Sequence, residues 1–358
     1  MNAYSKTTLA LALSMSMSIS ITACGGEEDD ANNASSENNT AGNNTAGGTN
    51  NVDGDWTCEA MAALFVNTPE TTSTQDCSLS DGSTATCCNF TFGSDLVEDG
   101  PYCPGSKTSP APYGLSVYDG ATNPGLRPFN GDYLQDIEDD GYDPMVDDDG
   151  NTNIVTSLQG GASDGSNCLA IDQDGGLTIE VNVPLNPKMA SAATTLREVE
   201  NLGVSIHGVP STGDPPSATM GPSMGGPGGG DSTAINVPSI GSCGAHPDPG
   251  GYLHDHFIPQ VMNSVLAAQG IGTDEVECTR YTQTTTGLYG FAKDGHPIYS
   301  SRDSEGEIPG DLDACQGHTS ATDEFPDGVY HYHASETAAP NFMSCLSGVA
   351  VSSSFSYR

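Results

Sequence analysis

The chain has 358 residues, of which 47 are Asp or Glu and nine are Lys or Arg, for a formal charge of −38. That balance excludes nucleic acid as a partner, because proteins that grip a phosphate backbone carry a basic footprint. Glycine and proline number 44 and 23, which favours short strands, many turns and long loops over long helices.

At the start of the chain, Lys6 is the one charge before a run of apolar and small residues from Thr8 to Ala23. The run is too short and too serine-rich to span a bilayer as a mature helix, so residues 1–23 read as a signal peptide. It closes on Ile21-Thr22-Ala23-Cys24, which resembles the bacterial lipobox. That resemblance implies that Cys24 becomes a lipid-modified N-terminus and that a membrane is the partner of this end. Gly25 follows where the inner-membrane retention signal would place Asp. The expected address is the cell envelope, at the outer membrane, facing the periplasm or the exterior. Residues 24–52 are, after Cys24, mostly Asn, Gly, Thr, Ala and Ser with an acidic patch, Glu27 to Asp30, and a small tandem repeat, and having nothing to bury they read as a disordered tether.

Roughly 300 residues remain to fold, enough for one large domain or two ordinary ones. Residues 53–87, with Trp56, Cys58, Cys77 and Cys87, are expected to form a small Cys-rich cap or subdomain. Residues 88–202 read as the first part of a larger β domain carrying an acidic loop. Asp132 to Asp149 contains nine carboxylates and no base, a composition suited to solubility. Within it Asp147, Asp149, Asn151 and Asn153 set oxygen ligands at alternate positions, as calcium loops do, without the bidentate Glu at the twelfth place. Calcium is one reading of this loop and a plain acidic surface is the other. Leu177 to Pro184 alternates as a half-buried strand does.

Eleven cysteines suit an oxidising compartment. With Cys24 assigned to lipid, ten remain for up to five disulfides, and the adjacent Cys87 and Cys88 need different partners. Cysteines bonded in this way are not thiolate ligands, which leaves histidine and carboxylate to hold any metal.

Residues 203–358 contain two runs with the same landmarks, about 203–280 and 287–348. In the first, Gly203-Val204-Ser205-Ile206 leads into His207-Gly208-Val209-Pro210, then Cys243-x-x-His246, His254-x-His256 and Cys278. In the second, Leu288 to Ala292 leads into Asp294-Gly295-His296-Pro297, then Cys315-x-x-His318, His331-x-His333 and Cys345. Five landmarks in one order point to an internal duplication. The matching loop lengths favour Cys243–Cys278 and Cys315–Cys345 as disulfides.

An H-x-H pair on a strand turns both rings to one face, with Cα atoms about 6.5–7 Å apart. Adding the C-x-x-H residue makes two three-histidine sets, His246, His254, His256 and His318, His331, His333. Three neutral imidazoles with an open fourth position suit Zn²⁺ or Cu²⁺. The bland alternative is that these histidines only hydrogen-bond across a sheet. Met220 and Met224 are candidate Cu(I) contacts, or simply part of a Gly/Pro-rich linker. His296 beside Asp294 suits either an acid/base pair or a turn whose polar groups bond the backbone. No nucleophile elbow or phosphate-cradling loop is present.

The second run carries Tyr330-His331-Tyr332-His333 intact, preceded by Asp313-x-Cys315-x-Gly317-His318 and followed by Cys345-x-x-Gly348. Together with Asp294-Gly295-x-Pro297-Ile298-Tyr299, these motifs resemble the YHYH domain family of bacterial exported proteins and lipoproteins. The first run departs from the pattern, with Tyr252-Leu253-His254-Asp255-His256. The resemblance brings little mechanism with it.

The expected fold is mainly β, loop-rich and disulfide-stapled. Two related modules would share a sandwich- or barrel-like core, with one helix over about 259–269. Three functions fit: a membrane-anchored protein that binds zinc or copper, a non-catalytic surface module with structural histidines, and a metal-dependent hydrolase. No catalytic signature decides whether the protein is an enzyme.

Overall fold

A computed structural model describes residues 56–94, 100, 102–110, 114–157, 165–197, 200–218, 233–247 and 250–358. The signal segment, Cys24, the tether, Met220 and Met224 lie outside those residues.

A short helix, α1 (Cys58–Ala62), is capped by the Thr57 side chain. Two hairpins follow, β1 (Thr71–Ser78) with β2 (Thr84–Gly93), and β3 (Leu115–Tyr118) with β4 (Gly125–Pro128). Then come α2 (Gly131–Asp139), β5 (Ile154–Val155), β6 (Asn167–Leu169), β7 (Thr178–Pro184) and β8 (Met189–Thr195). The histidine-bearing part opens with β9 (Asn201–Ser205), β10 (Pro210–Thr212), β11 (Asn236–Pro238), β12 (Ala245–Pro247) and β13 (Leu253–Asp255). A 3-10 turn at Pro259–Val261 runs into α3 (Met262–Ala268), which buries Met262, Val265 and Leu266 at helical spacing. The chain closes with β14 (Leu288–Ala292), β15 (Pro297–Tyr299), β16 (Gly317–Ser320), β17 (Val329–His333), β18 (Cys345–Gly348) and β19 (Phe355–Tyr357).

The largest sheet has eight strands in the order β12-β13-β10-β9-β14-β15-β17-β16. Its pairings mirror about the central antiparallel pair β9 and β14. On either side lie an antiparallel hairpin, β9 with β10 or β14 with β15, and a parallel pair, β10 with β13 or β15 with β17. An antiparallel edge pair completes each half, β12 with β13 or β16 with β17. A four-stranded sheet, β1-β2-β7-β19, lies against this one. Between them Phe90 and Phe92 of β2 and Val181 and Val183 of β7 pack with Val204 of β9 and Phe291 of β14. Alternation in β7 makes this contact: Ile179, Val181 and Val183 are buried while Thr178, Glu180 and Asn182 are half-exposed.

The molecule is thus mainly β with sandwich-like open sheets, and the barrel alternative gives way because both edges of the large sheet remain unpaired among the described residues. Two other expectations change. The boundary at residue 87 falls inside a strand, since β2 crosses residues 87 and 88 and pairs with β7 from Cys87↔Pro184 to Gly93↔Thr178. The acidic run is not all loop: Asn130 caps α2 through Tyr133 N, and Tyr133, Leu134 and Ile137 bury one face against Tyr118, Phe129 and Val237.

Ten described cysteines form five disulfides, Cys58–Cys88, Cys77–Cys87, Cys103–Cys168, Cys243–Cys278 and Cys315–Cys345.

Candidate metal centres

Strand register brings the two sets of histidines together. His246 of β12 lies directly across the ladder from His254 of β13, and His318 of β16 directly across from His331 of β17. His256 and His333 follow two residues on, on the same face. In the first set the Nε2 atoms of His246 and His254 lie 3.1 and 3.0 Å from His256 Nε2. In the second, those of His318 and His333 lie 3.1 and 3.0 Å from His331 Nε2. Both sets are almost fully buried.

The Nδ1 atoms decide what those contacts are. In the second set His331 donates to the Val329 carbonyl at 2.9 Å, His333 to the Ser300 carbonyl at 2.8 Å, and His318 to the Asp311 carboxylate at 2.8 Å. A carbonyl or carboxylate only accepts, so each Nδ1 carries a proton, and a ring with that one proton presents a bare lone pair at Nε2. In the first set His246 donates to the Ser239 carbonyl at 2.8 Å and His256 to that of Gly213 at 2.7 Å. His254 is more loosely held, 3.5 Å from the Tyr252 carbonyl. Lone pairs about 3 Å apart repel unless a cation or a proton stands between them.

Protons are a poor solution here. Burial pushes His246 down to about 4, His256 to about 3 and His331 to about 4. Burial likewise lowers His254 and His333. At neutral pH these rings are uncharged. A metal ion fits the same geometry: with metal–nitrogen bonds of about 2.0–2.1 Å, ligand nitrogens of a tetrahedral site sit about 3.3 Å apart. The hydrogen-bonded Nδ1 atoms are the outer support that orients metal-bound histidines.

The tyrosines between the histidines face the other way and hold neighbouring motifs. Tyr332 donates to Asp294 Oδ2 at 2.5 Å, and that oxygen also accepts from Gly348 N at 3.0 Å. Tyr330 donates to Asp313 Oδ2 at 2.8 Å, while Asp313 Oδ1 accepts from Cys315 N and Gly317 N. The name motif therefore fastens the turn before β15, the C-x-x-H strand and the closing Cys-x-x-Gly to one strand. In the first set Asp255 takes the place of Tyr332, accepting from Tyr289 Oη at 2.8 Å. Burial raises its carboxyl to about 7.

A cleft of about 130 Å³ adjoins the second set, lined by His331 and His333 together with Tyr299, Ser320, Thr322 and Glu324. Sequence reasoning missed Tyr299 and Glu324 as neighbours of the site, and it also missed Asp311, seven residues before His318. Asp311 carries no distinguishing signal in an acidic chain. His296 is buried, its Nδ1 donating to the Tyr330 carbonyl at 3.0 Å. From His296, Asp294 accepts the backbone N–H at Oδ1 and not a ring N–H, so the turn reading holds over the acid/base pair.

The loop considered for calcium folds around Asp147. Asp147 Oδ1 accepts from Asp149 N at 3.0 Å and Asn151 N at 2.8 Å, as in an Asx turn. Among the described residues, the groups of three or more His, Cys, Asp or Glu side chains converging within 4.8 Å are the two histidine sets.

Fold and site together define a disulfide-stapled β-sandwich protein with two three-histidine clusters able to hold metal. The family model described as YHYH protein matches residues 180–308 and 303–348. That region, which carries both clusters, matches the YHYH family. No curated protein and no solved structure matches it.

Proposed function

We propose that this protein binds a transition metal, zinc or copper, at two three-histidine centres, and does so as an exported lipoprotein held in the cell envelope through Cys24. One observation carries the metal reading: Nε2 lone pairs converge at about 3 Å while the opposite ring nitrogens are committed to acceptors. A structural histidine would spend both nitrogens in hydrogen bonds, and here the inner nitrogens face one another, with Ser320 Oγ at 3.4 Å from His318 Nε2 as a further neighbour. The donor set is all nitrogen, since every described cysteine is in a disulfide, and neutral imidazole suits both metals. The mirrored strand pairings support an internal duplication that supplies one centre per half. Export is supported by the lipobox-like segment and by five disulfides, which persist in oxidising compartments. Storage, sensing and delivery of the metal all fit a protein of this kind.

The test is metal content by mass spectrometry on the full chain, purified oxidised, without a His tag and incubated with Zn²⁺ or Cu²⁺. About two equivalents should remain after gel filtration, falling to about one in His331→Ala/His333→Ala and to none when His254→Ala/His256→Ala is added. Wild-type protein that retains no metal overturns the reading.

A further inference from the structure

The two centres share their inner geometry and differ in what surrounds them. We propose that the second, built from His318, His331 and His333, is a ligand-binding centre whose cleft takes a small neutral or cationic hydrogen-bond donor, while the first holds its metal closed to such ligands. This rests on the metal reading above.

Four observations carry the proposal. First, His331 and His333 themselves line the cleft, so its floor is the face of the centre. In the first set His256 is fully buried and gripped by both the Gly213 carbonyl and Thr212 Oγ1. Second, the volume selects by size. About 130 Å³ far exceeds the roughly 10–15 Å³ that admits one water, and it falls short of the about 300–1,000 Å³ of sites for larger organic ligands. Third, the wall is made of acceptors. Glu324 Oε2 receives the Tyr299 hydroxyl at 2.6 Å, Asp303 and Asp323 stand on the rim, and Ser320 Oγ lies 3.4 Å from His318 Nε2. Arg302, the one cation of the lining, is spent in a two-pronged pair with Glu336, at 2.6 and 3.0 Å. Anions are therefore disfavoured and donors favoured. Fourth, His318 is backed by the Asp311 carboxylate, where its counterpart His246 is backed by the Ser239 carbonyl. A charged backing group makes the ring a stronger donor and distinguishes the two metals electronically.

The probe is imidazole, which offers one lone pair to a metal and one N–H to the acceptor wall. Full-length His254→Ala/His256→Ala, which keeps only the second centre, is loaded with Cu²⁺ and titrated while the visible absorption is followed. Full-length His331→Ala/His333→Ala, which keeps only the first, is treated alike, and copper is quantified in both after the titration. A saturable shift is expected at the second centre alone, with azide binding there at least about tenfold more weakly than imidazole. Ala321→Trp, placed from an exposed position on the cleft wall, should keep its copper and weaken imidazole at least about tenfold. Ser304→Trp blocks the cleft from another exposed position and should act the same way. Copper retained with no imidazole shift, an equal shift at both centres, or a shift indifferent to both tryptophans overturns the proposal and leaves the metal reading standing. Loss of copper from both single-centre proteins fails the metal reading itself, and the proposal with it.

Discussion

Each histidine of the second centre has one ring nitrogen tied to an acceptor and the other facing its neighbours, so the protonation of these rings is tightly constrained. That constraint sets a pH dependence for metal-free protein. Unfolded histidine takes a proton near pH 6.5, whereas His246 and His331 stay neutral down to about 4 and His256 to about 3. Between those limits the unfolded chain binds more protons than the folded one, so their contribution is complete above pH 6.5 and is lost as pH falls toward 4. Asp255 works in the opposite sense. Its carboxyl is raised to about 7 from an ordinary value near 3.8, so the folded chain binds the extra proton and stability falls as pH rises between those values. Urea midpoints of chelator-treated protein should drop steeply from pH 6.5 to 4.5. In Asp255→Asn, with the Tyr289 hydroxyl still offered an oxygen, stability should rise by about 1–3 kcal/mol at pH 8 and by less at pH 5. A midpoint independent of pH across the acid range would contradict neutral, buried rings.

At the scale of elements, the mirrored sheet depends on two glycines where its halves cross. A Cβ on Gly203 of β9 would lie 2.4 Å from the Phe291 carbonyl oxygen, and one on Gly290 of β14 would lie 2.1 Å from that of Val204. Each strand can approach the other only because the side chain is missing on both sides. Gly203→Ala and Gly290→Ala should each cost about 1–3 kcal/mol or more in thermal unfolding. Their double variant should fall short of the sum, since one widening of the β9–β14 pair accommodates both methyl groups. Additive losses would place the strain elsewhere. These elements also show what the sequence made legible. H-x-H and C-x-x-H were readable because period-2 alternation fixes which side chains share a face, and β16 and β17 needed no more than that. Val261, Met262, Val265 and Leu266 marked α3 by spacing. The signal for α2 was present in Asn130, Tyr133, Leu134 and Ile137 but lay among carboxylates on its outer face. The pairing of β2 with β7 joins residues about ninety positions apart, and no local pattern carries such a register. For the same reason the cleft was invisible: it needs Tyr299, Thr322 and His331 from separate strands and turns to meet.

For the whole molecule, a charge of −38 bears on how the proposed lipid would hold it at a membrane. Juxtamembrane basic clusters bind anionic headgroups with about 1 kcal/mol per Lys or Arg, and a chain with nine such residues against 47 acids has no electrostatic second anchor. Among the described residues no helix is long and apolar enough to cross a bilayer. Attachment through the proposed lipid at Cys24 must then come from burying acyl chains, at about 0.8 kcal/mol per CH₂, against a surface that repels the protein. Such a bond to the membrane is indifferent to salt, because screening weakens repulsion and leaves the apolar term intact. Wild-type protein should stay in the membrane fraction through a 1 M NaCl wash and leave it with detergent. Cys24→Ser should appear in the soluble fraction with its metal content unchanged. Release of the wild type by salt alone would point to a protein partner on the envelope in place of a lipid, and retention of Cys24→Ser would remove that cysteine from the anchor.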